Sequence, residues 1–374
     1  MKKVLVTGSG GFIGKNLIES LSRLSDIEIS TFELNDDMET LFQNAAKSDL
    51  IFHLAGVNRP QNNEEFTQGN YELTETLASK LQEQGKSPVI VLASSIQALL
   101  DNPYGVSKRQ AEKAIAGYSE KTGAKSYIFR LPNVFGKWCR PNYNSVVATF
   151  CHNISHGLDI SISDPQKVLR LVYIDDVVKA FTSILQGDYS DLILDDDGFY
   201  SIKRVFETTL SELAERIYQI RDIRKTCVLP DLSDEFMQCL HSTYISYIDK
   251  NGLAYTADLK TDNRGSLFEL IRSKHIGQIF ISRSYKNITR GNHYHDSKVE
   301  KFCLVQGEAI IKLRNVLRDE VISYKVSDKK IEVVDIPPGY THSIENLGDG
   351  EMIVLFWSSR LFDPENPDTY YREV

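Results

Sequence analysis

Lys3-Val4-Leu5-Val6-Thr7-Gly8-Ser9-Gly10-Gly11-Phe12-Ile13-Gly14 runs a short apolar strand straight into a glycine-rich turn. Gly8, Gly11 and Gly14 form a G-x-x-G-x-x-G pattern, and a helix is expected from there toward Leu24. Strand, turn and helix in that order let the backbone approach a pyrophosphate while the first helical N–H groups face the anion. Gly8, Gly11, Phe12, Ile13 and Gly14 are therefore candidate dinucleotide contacts. A plain turn is the alternative that a glycine triplet alone permits.

The chain that follows alternates strand and helix. Glu28 to Glu33 reads as a second strand, and Glu33 falls about 20 residues past the glycines, where an acid accepts from adenosine ribose hydroxyls. No base follows in Leu34-Asn35-Asp36-Asp37, which favours NADH over NADPH. A third strand, Asp49 to Leu54, ends in His53-Leu54-Ala55-Gly56-Val57-Asn58-Arg59-Pro60. The small residues of this stretch let a cofactor pass close by, so Leu54, Ala55 and Gly56 are candidate cofactor contacts. His53 reads as a packed strand histidine, and Arg59 either meets a diphosphate or stays solvated. A long helix, Glu64 to Gln84, contains Asn70. Val89 to Ala93 and Ser126 to Leu131 are further buried strands, the latter leading to Asn133-Val134-Phe135-Gly136. Helices are expected over Asn144–His156, from Asp175 to Leu185, and over Thr208–Arg221. This order indicates an α/β fold with a doubly wound parallel sheet and a substrate lobe after it.

The stretch Ser94-Ser95-Ile96-Gln97-Ala98-Leu99-Leu100-Asp101-Asn102-Pro103-Tyr104-Gly105-Val106-Ser107-Lys108 lies at the carboxyl end of such a strand, where open α/β sheets bind ligands. A helix is expected over Val106–Tyr118. Tyr104 and Lys108, at i and i+4, share one helical face. An ammonium there would lower the phenol from about 10 and make it a usable acid or base near neutral pH. Ser95 can hold a substrate oxygen beside it, with Ser94 as the second choice. The bland alternative is a helix start with a solvated lysine.

From about Asn251 the pattern becomes all-β. Alternating runs at 278–285, 301–314, 320–326, 331–336 and 351–357 argue for an antiparallel barrel or jelly roll. Within them stand His293-Tyr294-His295, Glu300 and, after Pro337-Pro338-Gly339-Tyr340-Thr341, His342. His293 and His295 share a strand face, and Glu300 and His342 are expected from neighbouring strands. Three imidazoles and one carboxylate suit Zn²⁺, Mn²⁺ or Fe²⁺, with imidazole content favouring zinc.

Composition bounds these expectations. A length of 374 residues suggests two or more domains, here 1–247 and 251–374. With 41% hydrophobic and 25% charged residues the chain is of ordinary globular type. A net charge of -8 argues against nucleic acid as a partner. No apolar run nears the ~18 residues of a membrane span. Met1-Lys2-Lys3 enters a strand without a signal-peptide core. Five cysteines with no C-x-x-C pair read as reduced thiols, and so as a cytoplasmic protein.

Thr7-Gly8-x-x-Gly11-x-x-Gly14, His53-Leu54-Ala55-Gly56, Ser94-Ser95, Tyr104-x-x-x-Lys108 and Asn133-Val134-Phe135-Gly136 together resemble the extended short-chain dehydrogenase/reductases that act on nucleotide sugars. The resemblance implies a Rossmann-type fold, Ser95, Tyr104 and Lys108 as the catalytic set, and Asn133 and Arg59 near substrate. The family's sugar 4,6-dehydratases carry Asp-Glu after the hydroxyl residue. Ile96 and Gln97 stand there, so dehydration is disfavoured. H-x-H-x₄-E-x₆-G followed by P-x-G-x₂-H-x₃-N resembles both cupin motifs, although Asn287 replaces a customary glycine. Asp262-x-Arg264-Gly265 and Arg290-Gly291-Asn292-His293 are similar to sugar-modifying cupins, which implies Arg264 and Arg290 as substrate contacts.

The two halves together resemble bifunctional capsular-polysaccharide enzymes of the UDP-N-acetyl-L-fucosamine pathway. That implies C3 epimerisation in the cupin and C4 reduction in the first domain, on a UDP-2-acetamido-2,6-dideoxy-4-hexulose. The product would be UDP-2-acetamido-2,6-dideoxy-L-talose. It also implies NADPH, against the NADH suggested by Glu33, together with Zn²⁺ and a homodimer. Metal-bound hydroxide, Tyr340 and Tyr294 are the candidates to take the C3 proton. The alternatives are an epimerase that retains NAD, a reductase whose cupin only dimerises, and a non-enzymatic sugar-nucleotide sensor.

Overall fold

The computed structural model describes residues 1–190, 192–257, 260–262, 265–267, 271, 277–360 and 365–374. Contacts divide it into one unit of Met1–Ser145 with Val168–Glu207, and another of Val146–Lys167 with Thr208–Val374.

Parallel pairing organises the first unit. β1 (Lys2–Thr7) lies between β2 (Ile27–Phe32) and β3 (Leu50–His53), and β4 (Val89–Ser95) and β5 (Ser126–Leu131) follow on the β3 side. Tyr200–Ile202 joins β5 in parallel, and Leu192–Leu194 closes the edge antiparallel. The order β2-β1-β3-β4-β5 reverses between β1 and β3, the place where such sheets leave a crevice at their carboxyl ends. Strands buried on both faces explain the unbroken apolar runs at 4–6, 50–52 and 89–93. On one face α2 (Met38–Lys47), α3 (Leu73–Glu83) and α4 (Pro103–Thr122) bury Leu41, Leu77, Leu81, Ile115 and Tyr118 against Leu5, Ile51 and Ile90. α1 (Phe12–Leu21) packs with helix Ile174–Gln186.

Two helices differ from expectation. α4 starts three residues before Val106, because Asn102 Oδ1 caps Gly105 N at 2.8 Å and Pro103 suits a first turn. The helix expected over Glu64–Gln84 widens into a π-type turn at Thr67–Glu72 before continuing as α3. Asn70 sits in that turn, its carboxamide tied to Val57 N (3.0 Å), Val57 O (2.9 Å) and Ser107 Oγ (3.1 Å).

The second unit contains two five-stranded antiparallel sheets. In one, Ala254–Thr256, Glu332–Ile336, Glu300–Gln306, Met352–Ser358 and Gln278–Ser284 are neighbours in that order. In the other the order is Val321–Ser327, Glu308–Asn315, Tyr340–Asn346, Thr289–Tyr294 and Tyr370–Tyr371. Their inner faces share a core of Phe302, Leu304, Ile311, Leu313, Val334, Ile344, Val354 and Phe356. The run at 301–314 is two strands, because Gly307 at φ 98° turns the chain between them.

Helices Val146–Ser155, Leu210–Thr226 and Glu235–Ile245 group by contact with this unit, while the sequence pattern changes at 247–251. A buried ion cluster gives the reason. Asp335 Oδ1 accepts from Lys301 Nζ at 2.6 Å, and Oδ2 accepts from Arg224 of the helix. Lys301 also donates to Tyr255 Oη at 3.1 Å. Burial alone would raise the Asp335 carboxyl, but the two cations hold it below its ordinary value.

Asp335→Asn strands Lys301 in the interior and is expected to cost about 3–5 kcal/mol of stability. Denaturant unfolding of the full chain reads the loss, and adding Lys301→Met should recover part of it. The stabilisation is present above the unfolded carboxyl's pKa and is lost as pH falls through the depressed folded one.

Candidate active site and metal centre

The carboxyl ends of β1, β3 and β4 open into a cleft of about 900 Å³. Gly8, Gly11, Phe12, Ile13, Gly14, Leu54 and Gly56 line one part of it, and Ser95, Tyr104, Lys108 and Asn133 another. Close approach dictates the glycines. Gly8 has φ 68°, and a Cβ there would meet the Ala55 backbone at 2.8 Å. A Cβ on Gly14 would stand 2.2 Å from Gly8 O. Ala55 thus backs the glycine loop. Glu33 reaches the same loop: its Oε1 accepts from Ser9 Oγ at 2.5 Å and from Gly10 N.

Thr7 holds the crevice together. Its hydroxyl accepts from Leu54 N and Ala55 N, both at 3.2 Å, and meets His53 Nδ1 at 2.8 Å. His53 Nε2 meets Thr74 Oγ1 at 2.9 Å, and that hydroxyl donates to Asn70 O at 2.6 Å. Thr74 must therefore accept from Nε2–H, and Nδ1 accepts from Thr7. Burial, with Lys108 adding to it, pushes the imidazole down to about 3, so His53 is a neutral packing element.

Lys108 is buried, donates to Ala93 O at 2.9 Å, and is lowered to about 8 by burial against the opposing charge of Glu112. Tyr104 differs from expectation. Burial raises its phenol, and the hydrogen bond with Ser95 is what pulls the other way. Lys108 Nζ donates to the Ala93 carbonyl, and burial, which the i, i+4 spacing does not report, is the larger influence on the phenol. The two serines are distinguished. Ser94 Oγ is buried and donates to Glu112 Oε1 at 2.6 Å, in a pair locked by Arg130, whereas Ser95 faces Tyr104. Asn70 in its π-turn and Glu112 escaped the sequence reading. The Tyr104–Lys108 spacing continues to Glu112 and marks it in retrospect.

Arg59 does not line the cleft. It is exposed, 5.9 Å from the Tyr143 ring centroid, and Arg140, which does line the cleft, stands 5.1 Å from the same ring.

In the second unit His293, His295, Glu300 and His342 offer ligand atoms that all lie within 4.8 Å of one another. His293 and His342 face each other across paired strands, and Glu300 comes from the facing sheet rather than a neighbouring strand. His295 Nδ1 lies 2.6 Å from Asp368 O, and His342 Nδ1 lies 3.3 Å from Tyr340 O. Carbonyls only accept, so each Nδ1 carries the proton and each Nε2 presents a lone pair. Those Nε2 atoms lie 3.2 and 3.3 Å from Glu300 Oε2 without an aligned hydrogen bond. Burial favours the neutral Glu300 acid, and His295 and His342 hold the carboxyl down only where their Nε2 atoms carry protons. Burial, with His342 and His295, also lowers His293 to about 4. Converging lone pairs around a carboxylate fit a divalent cation. Asn287 has φ 62°, so the position of the customary glycine does need left-handed backbone, which asparagine tolerates. Arg290 is exposed, with Nε donating to Ser284 Oγ at 2.7 Å, and Arg264 lies outside the described residues.

Residues 4–191 match the model of the NAD dependent epimerase/dehydratase family. The chain belongs to that family. Residues 260–370 match the polysaccharide biosynthesis C-terminal domain. The UDP-2-acetamido-2,6-beta-L-arabino-hexul-4-ose reductase of Pseudomonas aeruginosa is 41% identical over 368 residues, 98% of each chain. The crystal structure of the capsular polysaccharide assembling protein CapF from Staphylococcus aureus matches with a TM-score of 0.68 and 42% identity, over 99% of this chain and 100% of that one. A UDP-N-acetylglucosamine 4-epimerase from Methanobrevibacter ruminantium, at 19% identity, covers 66% of this chain and 98% of its own with a TM-score of 0.54, and shows the fold alone. Membership in the family makes the chain an enzyme that uses a nicotinamide dinucleotide, and the glycine-lined cleft fits that cofactor.

Gly14→Ala is expected to abolish binding of a reduced nicotinamide dinucleotide, read as lost fluorescence enhancement on titration. Gly117→Ala, where an added Cβ meets nothing within 4 Å, should leave binding intact.

Proposed function

We propose that the chain converts a UDP-2-acetamido-2,6-dideoxy-4-hexulose to the 6-deoxy-L-talose sugar in two steps, C3 epimerisation in the second unit and C4 reduction in the first. The observation that carries this reading is the cleft. It sets Ser95, Tyr104 and Lys108 beside a glycine loop, in a chain that aligns end to end with a 4-keto sugar reductase. Bound reduced nicotinamide supplies the hydride. Tyr104 Oη gives its proton to the oxygen at C4, Ser95 Oγ orients both, and Lys108 keeps a positive charge beside the forming alkoxide. A phenol held up by burial is protonated at neutral pH, which suits donation.

In the second unit His293, His295, Glu300 and His342 would hold the metal, with zinc favoured by three imidazoles. A divalent cation held there would supply Lewis-acid stabilisation of negative charge at the C4 oxygen when the C3 proton is removed. Reduction then removes the ketone and fixes the C3 configuration.

Two arguments bear on the hydride donor. The resemblance points to NADPH. Glu33, placed on Ser9 and Gly10, points to NADH, because its carboxylate repels a ribose phosphate. Relative kcat/KM for the two donors decides between them, and Glu33→Ala should shift preference toward NADPH.

The proposal includes a cytoplasmic homodimer. The edge strand Gln278–Ser284 exposes Ile279 and Ile281, which suits pairing with a second copy. Light scattering reads the mass.

Incubation with the 4-keto sugar in D₂O tests the reading. Deuterium is expected at C3 without nicotinamide, and nicotinamide oxidation once it is added. Tyr104→Phe should lower reduction by about 10²–10⁴-fold and spare C3 exchange. His342→Ala should abolish exchange. Oxidation without exchange would leave the second unit non-catalytic, and no net oxidation with continued epimerisation would indicate a retained NAD.

A further inference from the structure

The four candidate metal ligands share a neighbour that none of the motifs contains. The segment Asp368–Arg372 runs along strand Thr289–Tyr294, pairing Tyr371 with His293 and Tyr370 with Tyr294. Arg372 N donates to Asn292 O at 2.9 Å, and Thr341, next to His342, donates to Arg372 O. Asp368 is its anchor. At φ 41° the backbone turns so that carbonyl and carboxylate of one residue face the same loop. The carbonyl accepts from His295 Nδ1 at 2.6 Å. The carboxylate collects Asp296 N at 2.9 Å, Ser297 N at 3.2 Å, Ser297 Oγ at 2.8 Å and Lys298 N at 3.0 Å. Lys298 Nζ closes the contact on Pro367 O at 3.1 Å and Thr369 Oγ1 at 3.3 Å. Residues 296–298 are three of the four that link His295 to Glu300, so this carboxylate helps set how far apart two ligands stand.

We infer that Asp368 is a positioning residue of the metal centre: it fixes the His295 tautomer through its carbonyl and the His295–Glu300 link through its carboxylate. This rests on the metal reading proposed above. Partners that orient ligating histidines typically change metal affinity by about 10- to 100-fold when lost. Docking of 368–372 and metal binding must then favour each other, since each orders groups that the other needs.

The test uses the full chain with Co²⁺ alone and then Zn²⁺ alone. Asp368→Ala is expected to weaken Co²⁺ binding about 10- to 100-fold and to alter its visible absorption, with nicotinamide binding unchanged. Asp368→Asn, which keeps one acceptor oxygen, should fall between, and it decides the matter if the alanine variant does not fold. In the metal-free protein, ¹⁵N-histidine spectra should show His295 protonated at Nδ1 in the wild type and a tautomer mixture in the variant, because losing the carboxylate anchor frees the turn that holds the Asp368 carbonyl on Nδ1. Co²⁺ should slow amide exchange over 368–372. A wild-type chain that takes no Co²⁺ overturns the metal reading and this inference together. A wild-type chain that binds, with a folded variant of equal affinity, spectrum and tautomer, overturns the inference alone.

Discussion

The first unit depends on one hydroxyl. Thr7 ends β1 at the point where the strand order reverses, and its oxygen takes two backbone donors from the end of β3 while meeting His53. Two neighbouring strands end there in divergent loops, and the hydroxyl pairs Ala55 N and shares Leu54 N with the Thr7 carbonyl. With it, Leu54 and Ala55 are held against Gly8, and the loop that must receive a pyrophosphate has a floor. The tie continues through His53 and Thr74 to Asn70, whose carboxamide holds Val57 and Ser107. Ser107 precedes Lys108. A single chain of hydrogen bonds thus runs from the cofactor loop to the helix that carries Tyr104 and Lys108. Burial keeps His53 neutral, so that chain does not change state near physiological pH.

The second unit solves a different problem. A site of three imidazoles and a carboxylate needs its lone pairs aimed inward, and imidazole has two nitrogens that can exchange roles. Backbone carbonyls of Tyr340 and Asp368 remove that freedom at two histidines. The facing sheet brings Glu300 in from the other side, so closure of the sandwich itself assembles the ligand set. Lys301, one residue on, lies on the opposite side of its strand and enters the Asp335–Arg224 cluster. The strand that presents Glu300 to the histidines is therefore also fastened to the helix behind it.

Local patterns made much of this legible. The glycine spacing, the buried apolar runs, the Tyr104–Lys108 interval and the H-x-H…E…H set are all short-range signals, and each follows from strand or helix periodicity. What escaped was set by tertiary contact. The π-turn at Asn70 exists because its side chain is pulled to Val57 and Ser107, which lie far off in sequence. The grouping of helices 146–155 and 208–247 with the C-terminal strands follows from contacts such as Arg224 to Asp335, across 111 residues. The Tyr104 phenol is governed by desolvation, which no spacing rule reports. Asp368 lies 73 residues beyond the histidine it orients, in a segment with no motif of its own.

The distribution of charge between the units bears on why two chemistries can share a chain. Reduction at C4 needs a proton donor that remains protonated, and burial of Tyr104 favours this. Removing a proton at C3, as proposed for the second unit, needs the reverse, a place where negative charge on the sugar is welcome, and a cation held by the carboxylate and imidazoles would provide it. One site cannot do both well, because a cation near Tyr104 strong enough to stabilise an enediolate would also deprotonate the phenol. Ser95, Tyr104 and Lys108 lie in the first unit, and His293, His295, Glu300 and His342 in the second. The reduced product lacks the ketone that acidifies C3, so the order of the two steps follows from the substrate's chemistry and needs no signal between sites.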